Sequence, residues 1–206
     1  NCYILIDKQG NIKFFCNLKK VSKQLKKRFK NIKFIEINQT EEILAKTRKK
    51  KFIVDRNTCS YYFENIILLN NIISSFDDPI YYFKAIKSRK EINNIKKIHI
   101  FDGVALTKYL FWLKRNYYKK RITEISASSK LYEFRKKNKK FKSLSFPTIS
   151  GTGPNGAIIH YKANKKTNRV LKLGDIYLVD SGGQYEYGTT DVTRTISLKN
   201  SNKRIK

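Results

Sequence analysis

Residues 146–198 constrain this chain more than any other stretch: FPTISGTGPNGAIIHYKANKKTNRVLKLGDIYLVDSGGQYEYGTTDVTRTISL. Gly174-Asp175 is a turn signal, and the β-branched and aromatic run Ile176-Tyr177-Leu178-Val179 predicts a short strand after it. Ser181-Gly182-Gly183 predicts a break or bulge. Thr189 to Leu198 then alternates in the manner of a second strand. If the two strands pair antiparallel, turning near Tyr185-Glu186, Asp180 and Asp191 fall close together on one face. Carboxylates held side by side repel, and a cation between them removes the repulsion. A divalent metal is the simplest such cation, because carboxylate oxygens are hard ligands. The residues alone leave a plainer reading open, with one aspartate in a turn and the other facing solvent. Thr193 and Thr195 share the parity of Asp191, so they are either hydrogen-bond donors behind the carboxylates or ordinary strand threonines.

Upstream, Gly151-Thr152-Gly153-Pro154-Asn155-Gly156 has the glycine content of a phosphate loop. It lacks the Lys-Ser/Thr pair that would clasp phosphates, and no clear helix follows it. A tight turn that delivers His160 to a cleft is the better reading.

The first third of the chain alternates strands and helices, as in an α/β layer domain. Strands are expected at Tyr3–Ile6, Ile12–Cys16, Lys33–Ile37, Phe52–Val54 and Asn71–Ser74. Leu18, Val21, Leu25 and Phe29 have helical spacing, and helices are also expected from Thr40 and across Ser60–Leu69. Phe76-Asp77-Asp78-Pro79 is the expected boundary, giving domains at 1–78 and 79–206. A short helix is expected over Ile80–Lys87. Ser88 then caps a long helix from Arg89 to about Asn116, and Thr123 with Ser126 caps another through Tyr132 and Phe134. His99 and Trp112, both in the long helix, read as packing or surface residues.

The chain carries 45 Lys and Arg against 16 Asp and Glu, a net charge of +29. Such a balance would ordinarily point to nucleic acid. Residues 147–198 hold only six basic and four acidic side chains, so the excess lies mostly elsewhere. It accompanies abundant Asn, Ile, Phe and Tyr, a composition that an AT-rich genome produces without a selected partner. No specific nucleic-acid partner is therefore expected. No stretch approaches a membrane span, no signal pattern opens the chain, and a cytoplasmic location is expected. Cys2, Cys16 and Cys59 are odd in number and lack metal spacing, so they read as free thiols.

DSGGQYEYGTTDVTRT, preceded by FPTISGTGPNGAIIHY, closely resembles the catalytic domain of Xaa-Pro aminopeptidases (aminopeptidase P). These are pita-bread-fold metallopeptidases, related to prolidases, methionine aminopeptidases and creatinase. Both blocks occur in order with suitable spacing, and the likeness continues weakly upstream through FKAIKSRKEINNIKKIHIFDGVALTKYLFWL. The resemblance implies a creatinase-like N-terminal α/β domain followed by an α+β, incomplete pita-bread catalytic domain. In the three-domain members of that family the second of two similar N-terminal domains occupies this place, and it would supply packing, oligomer contacts and part of the substrate cleft. The resemblance further implies that Asp180 and Asp191 are metal ligands, with Asp191 bridging a pair of divalent ions, usually manganese. His160 would contact substrate and help stabilise the reacting centre. The substrates implied are peptides with proline in second position, and the attacking group is a metal-activated water.

The family completes its site with a histidine and two glutamates beyond the second aspartate, and no His, Glu or Asp follows Asp191 here. Two aspartates alone are expected to bind a divalent ion weakly or not at all, and this chain alone is expected to be inactive. A split enzyme with a complementing C-terminal chain, a homo-oligomer and a decaying fragment all fit this expectation. Since Asn1 is not methionine and a strand begins almost at once, sequence is also expected to precede it. Within the enzyme class the alternative is a prolidase-like dipeptidase, and the alternatives from other classes are a noncatalytic pita-bread binding module and a basic nucleic-acid-binding protein.

Overall fold

The computed structural model describes residues 2–198. The chain divides into two compact units between Ile86 and Lys87.

In the first unit, β1 (Tyr3–Ile6) and β2 (Ile12–Cys16) form an antiparallel hairpin. Its turn is held by Asp7, whose carboxylate accepts from the backbone N–H groups of Gln9 and Asn11 at 2.9 Å each. The apolar spacing from Leu18 to Phe29 does not produce one helix. Asn17 caps a single 3₁₀ turn at Leu18–Lys20, and Ser22 separately caps α1 (Lys23–Arg28), so two local caps divide the segment. β3 (Ile32–Glu36) pairs parallel with β2. α2 (Thr40–Lys46), β4 (Lys51–Val54), α3 (Tyr61–Leu68) and β5 (Ile72–Ser75) follow, with β4 and β5 parallel. Leu44, Phe52, Ile66 and Ile67 form the core they enclose. α4 (Pro79–Ala85) starts with its proline at the first turn and Asp78 as cap. It groups with the first unit, eight residues past the boundary expected at 78.

The second unit opens with α5 (Arg89–Asn116), whose N-terminus is a capping box between Ser88 and Glu91. A reciprocal Thr123–Ser126 pair caps α6 (Glu124–Lys136). Then come β6 (Phe141–Leu144), β7 (Ile149–Thr152), β8 (Ile176–Ser181), β9 (Gly183–Tyr185), β10 (Gly188–Thr189) and β11 (Val192–Ser197). They form two antiparallel three-stranded sheets, ordered β10-β9-β6 and β11-β8-β7. Leu106, Tyr109 and Leu113 of α5, Ala127 and Leu131 of α6, and Tyr177 and Val179 of β8 share one buried core. Burying each large apolar side chain there contributes about 1.5–3 kcal/mol. A directed chain of buried hydroxyls crosses this core. Tyr109 meets Tyr177 at 2.8 Å, Tyr177 meets Ser150 at 2.8 Å, and Ser150 donates to the Glu124 carbonyl at 2.8 Å. No helix among the described residues is long and apolar enough to cross a membrane.

Candidate active site

The alternation of β8 separates core from site. Tyr177, Val179 and Ser181 are buried toward α5 and α6, whereas Leu178 and Asp180 are half-buried on the other face. β11 runs antiparallel to β8 in a register that sets Thr193 opposite Asp180 and Val192 opposite Ser181. Thr193 Oγ1 donates to Asp180 Oδ1 at 2.8 Å. Asp191 is exposed and directly precedes Val192, just outside the paired register. The two-residue turn Glu186-Tyr187 joins β9 to β10 and lies between the two aspartates in sequence. Thr195 stands opposite Leu178, farther along the strand.

Each aspartate is fixed through its buried neighbour. Beside Asp180, the Ser181 hydroxyl is held 3.1 Å from Arg135 Nη2. Arg135 is wholly buried and forks onto Asp102, with Nε at 2.7 Å from Oδ1 and Nη2 at 3.0 Å from Oδ2. Tyr185 also donates to Asp102 Oδ1 at 2.7 Å. Burial pushes the Asp102 carboxyl up, but the bonds and charge of Arg135 outweigh it and hold the group below the usual carboxylate range. Burial, then the Asp102 carboxylate, push the Tyr185 phenol up, which keeps it a donor.

Beside Asp191, the Thr190 backbone N–H donates to the Gly183 carbonyl at 2.9 Å, and the Thr190 hydroxyl accepts the Gly183 N–H at 2.9 Å. The Thr190 carbonyl accepts from Ser145 Oγ at 3.0 Å. Gly182 lies between these anchors, where a Cβ would run into the Thr190 carbonyl oxygen and the Ser145 hydroxyl. The predicted break in the strand is thus a close backbone approach.

His160 sits apart from the strands, on the loop after the 3₁₀ turn Gly153–Ala157, exposed and with φ of 52°. The loop is tied inward by Glu124, a wholly buried carboxylate at the first position of α6. Glu124 accepts from Thr152 N, Asn155 Nδ2, Tyr161 Oη and Arg169 N, all at 2.8–3.0 Å.

The structure therefore pairs Asp180 with Thr193, leaves Asp191 exposed one residue before β11, and puts His160 on a braced loop. The sequence reading did not single out Glu124, Asp102 or Arg135. A signal was available in helical spacing: Asp102 falls in the stripe Ile98, Asp102, Leu106, and Arg135 continues Ala127, Leu131. A charge on a core stripe implies a buried partner.

Comparison with known proteins resolves the family. The model for "Metallopeptidase family M24" matches residues 93–206, more than half of the chain. The chain belongs to metallopeptidase family M24. Residues 1–91 match the "Creatinase/Prolidase N-terminal domain", so the architecture is a creatinase-type α/β domain followed by an M24 pita-bread domain. The chain is 44% identical over 154 residues to Xaa-Pro aminopeptidase ApepP of Drosophila melanogaster, covering 74% of itself and 25% of that protein. It is 46% identical over 128 residues to a probable Xaa-Pro aminopeptidase P of Paracoccidioides brasiliensis, covering 61% of itself and 21% of the relative. The chain thus spans about a fifth to a quarter of the length of these relatives. Among solved structures it is similar to an X-prolyl aminopeptidase of Caenorhabditis elegans, described as a cytosolic enzyme with a di-nuclear active site. The TM-score is 0.85 at 27% identity, over 98% of this chain and 34% of that one. A prolidase of Pyrococcus furiosus shares the fold, with a TM-score of 0.73 at 21% identity, over 98% of this chain and 57% of that one.

Asp180 and Asp191 offer hard oxygen donors, the ligand type that suits divalent ions of this class. Among the described residues, no group of three or more His, Cys, Asp or Glu side chains is placed to hold a metal ion. The two aspartates therefore fit such an ion as part of a ligand set.

Proposed function

We propose that this chain carries part of the catalytic centre of a Xaa-Pro aminopeptidase, which releases an N-terminal residue preceding proline. The reading is carried by Asp180 on β8 and Asp191 one residue before the paired strand β11, with Thr193 of β11 bonded to Asp180. It is supported by curated relatives named Xaa-Pro aminopeptidase at 41–50% identity. Prolidase and dipeptidase neighbours lie at 17–21% identity and speak for the fold alone.

In this reading Asp180 and Asp191 hold two divalent ions, manganese being the ion we assign. Bound there, the ions would polarise the scissile carbonyl and lower the pKa of the attacking water. Thr193 keeps Asp180 Oδ1 engaged from behind, which fixes the orientation of the carboxylate and leaves Oδ2 for a ligand role. The Arg135–Ser181 bond holds the end of β8 against the core, so the Asp180 backbone is set by buried partners. His160 extends from its loop toward substrate, where an imidazole can donate to or accept from a peptide group. Further metal ligands come from a C-terminal segment in the same or a complementing chain. A cytosolic location and homo-oligomerisation belong to the same proposal.

The test is hydrolysis of an Xaa-Pro peptide with added manganese, by this chain alone and by the chain joined to or mixed with its C-terminal complement. Activity confined to the completed protein and lost in Asp180→Asn and Asp191→Asn is expected. Undiminished hydrolysis by either variant overturns the assignment.

A further inference from the structure

His160 has no regular element to hold it. It lies in a left-handed conformation, φ 52°, which a non-glycine residue keeps only where its surroundings impose it. The surroundings converge on one group. Glu124 Oε1 takes the backbone N–H of Thr152 at 2.8 Å and the Asn155 amide at 3.0 Å, before His160 in the chain. Glu124 Oε2 takes the Tyr161 hydroxyl at 2.8 Å and the Arg169 backbone N–H at 2.9 Å, after it. The Asn155 amide also donates to Tyr161 Oη at 2.8 Å, which closes the loop across its base. Between these anchors the backbone turns, with Ile158 N bonded to Asn155 O and Tyr161 N to Ile158 O. Gly151 lets the two arms close, since a Cβ there would lie 2.8 Å from Asn155 O.

We infer that Glu124 is the positioning residue for His160, with its buried carboxylate clamping the chain on both sides of the histidine. Glu124 touches no substrate, and its effect passes through Asn155 and Tyr161. Only acceptor oxygens serve this clamp, since each of its four partners donates a hydrogen. Glu124→Gln keeps the shape but replaces one acceptor with an NH₂ that confronts donors. The catalytic consequence rests on the substrate contact proposed for His160, whereas the clamp does not.

The chain contains two histidines, His99 and His160. Selective ¹⁵N-histidine labelling therefore yields one amide signal from the loop and one from α5, the second serving as a control for the fold. In the wild-type chain both order parameters are expected near about 0.85. In Glu124→Gln the His160 value is expected to fall below about 0.6, with His99 unchanged. No change at either histidine overturns the inference. Should the variant lose both signals, Tyr161→Phe, which removes only the hydroxyl link, is read in the same way. An unchanged His160 in that variant, or loss of both signals in both variants, also overturns it.

In the active protein, Glu124→Gln is expected to lower kcat/KM by up to about 100-fold and to cost little further in a His160→Ala background. Full additivity of the two overturns action through His160. If His160→Ala leaves kcat/KM untouched, the substrate contact fails while the labelling result on the clamp stands.

Discussion

The buried pair Asp102–Arg135 is the point where one atom-scale change should do the greatest damage. Both side chains are essentially inaccessible, at 1% and 0% exposure. Asp102→Ala leaves a guanidinium in the core with Ser181 as its remaining bonded partner, and Arg135 Nη1 already has none. Removing one member of a buried ion pair costs about 3–5 kcal/mol, because the charge left behind has lost both water and counterion. Loss of the acceptor for Tyr185 adds about 1 kcal/mol. Against a domain stability of about 5–15 kcal/mol, this removes a third or more. Trp112, the single tryptophan, packs on the same core and reports its unfolding by fluorescence in urea. With a urea slope of about 2 kcal/mol/M, the midpoint should fall by about 2–3 M. The combined variant Asp102→Leu, Arg135→Met, Tyr185→Phe removes the charges and the orphaned hydroxyl together, and should recover most of the loss. A loss under about 1 kcal/mol in Asp102→Ala, or a combined variant no better than the single one, would refute the reasoning. The pH dependence follows from the lowered Asp102 value. Its contribution is complete above the unfolded value of 3.8 and is lost as pH falls below that through the folded value. The corresponding acid limb should be missing from the combined variant.

Burial pushes the Tyr177 phenol up to about 12, so it keeps its proton in the folded state while an unfolded tyrosine ionises at 10.0. Stability should therefore hold below pH 10 and fall by roughly 3 kcal/mol between pH 10 and 12. Tyr177→Phe should flatten that slope in urea titrations, and an unaltered slope would assign it elsewhere. Thr193→Val should weaken divalent-ion binding by the active protein about 10–100-fold, read by manganese EPR, whereas Thr195→Val should leave it unchanged. Equal effects of the two would remove the special role of the Thr193–Asp180 bond. Gly182→Ala should prevent folding or cost more than about 4 kcal/mol, because the Thr190 carbonyl cannot retreat without breaking its bond from Ser145. A well-folded Gly182→Ala protein with an intact circular dichroism spectrum would show that this junction yields.

Local sequence signals made most of the secondary structure legible. Ser88 and Thr123 begin helices because their side chains satisfy N–H groups within the next turn, a relation confined to four residues. The same locality explains the error at Leu18–Phe29, where apolar spacing suggested one helix and the caps Asn17 and Ser22 divided it in two. The alternation around Asp180 in β8 and Thr193 in β11 was also readable, because a strand alternates whatever its partner. Their register was not. It depends on how β9 and β10 leave and re-enter the ladder around Gly182, and on Thr190 meeting Gly183 and Ser145. Partners separated by tens of residues leave only an indirect trace, such as a charge on a core-facing stripe.

That indirect trace explains why the charged residues around this site divide into two kinds. Asp180 lies on the face of β8 turned from the helices, and Asp191, one residue before β11, is exposed. Asp102, Arg135 and Glu124 are buried and have most of their hydrogen-bonding capacity occupied by protein. A carboxylate with every oxygen engaged by donors cannot also bind a cation well, but it holds fixed whatever those donors belong to. In this chain the donors belong to the segments that carry the exposed groups. Arg135 reaches Ser181 next to Asp180, and Glu124 reaches Tyr161 next to His160. Orientation is thus set one residue away from Asp180 and from His160, where burial makes hydrogen bonds strong.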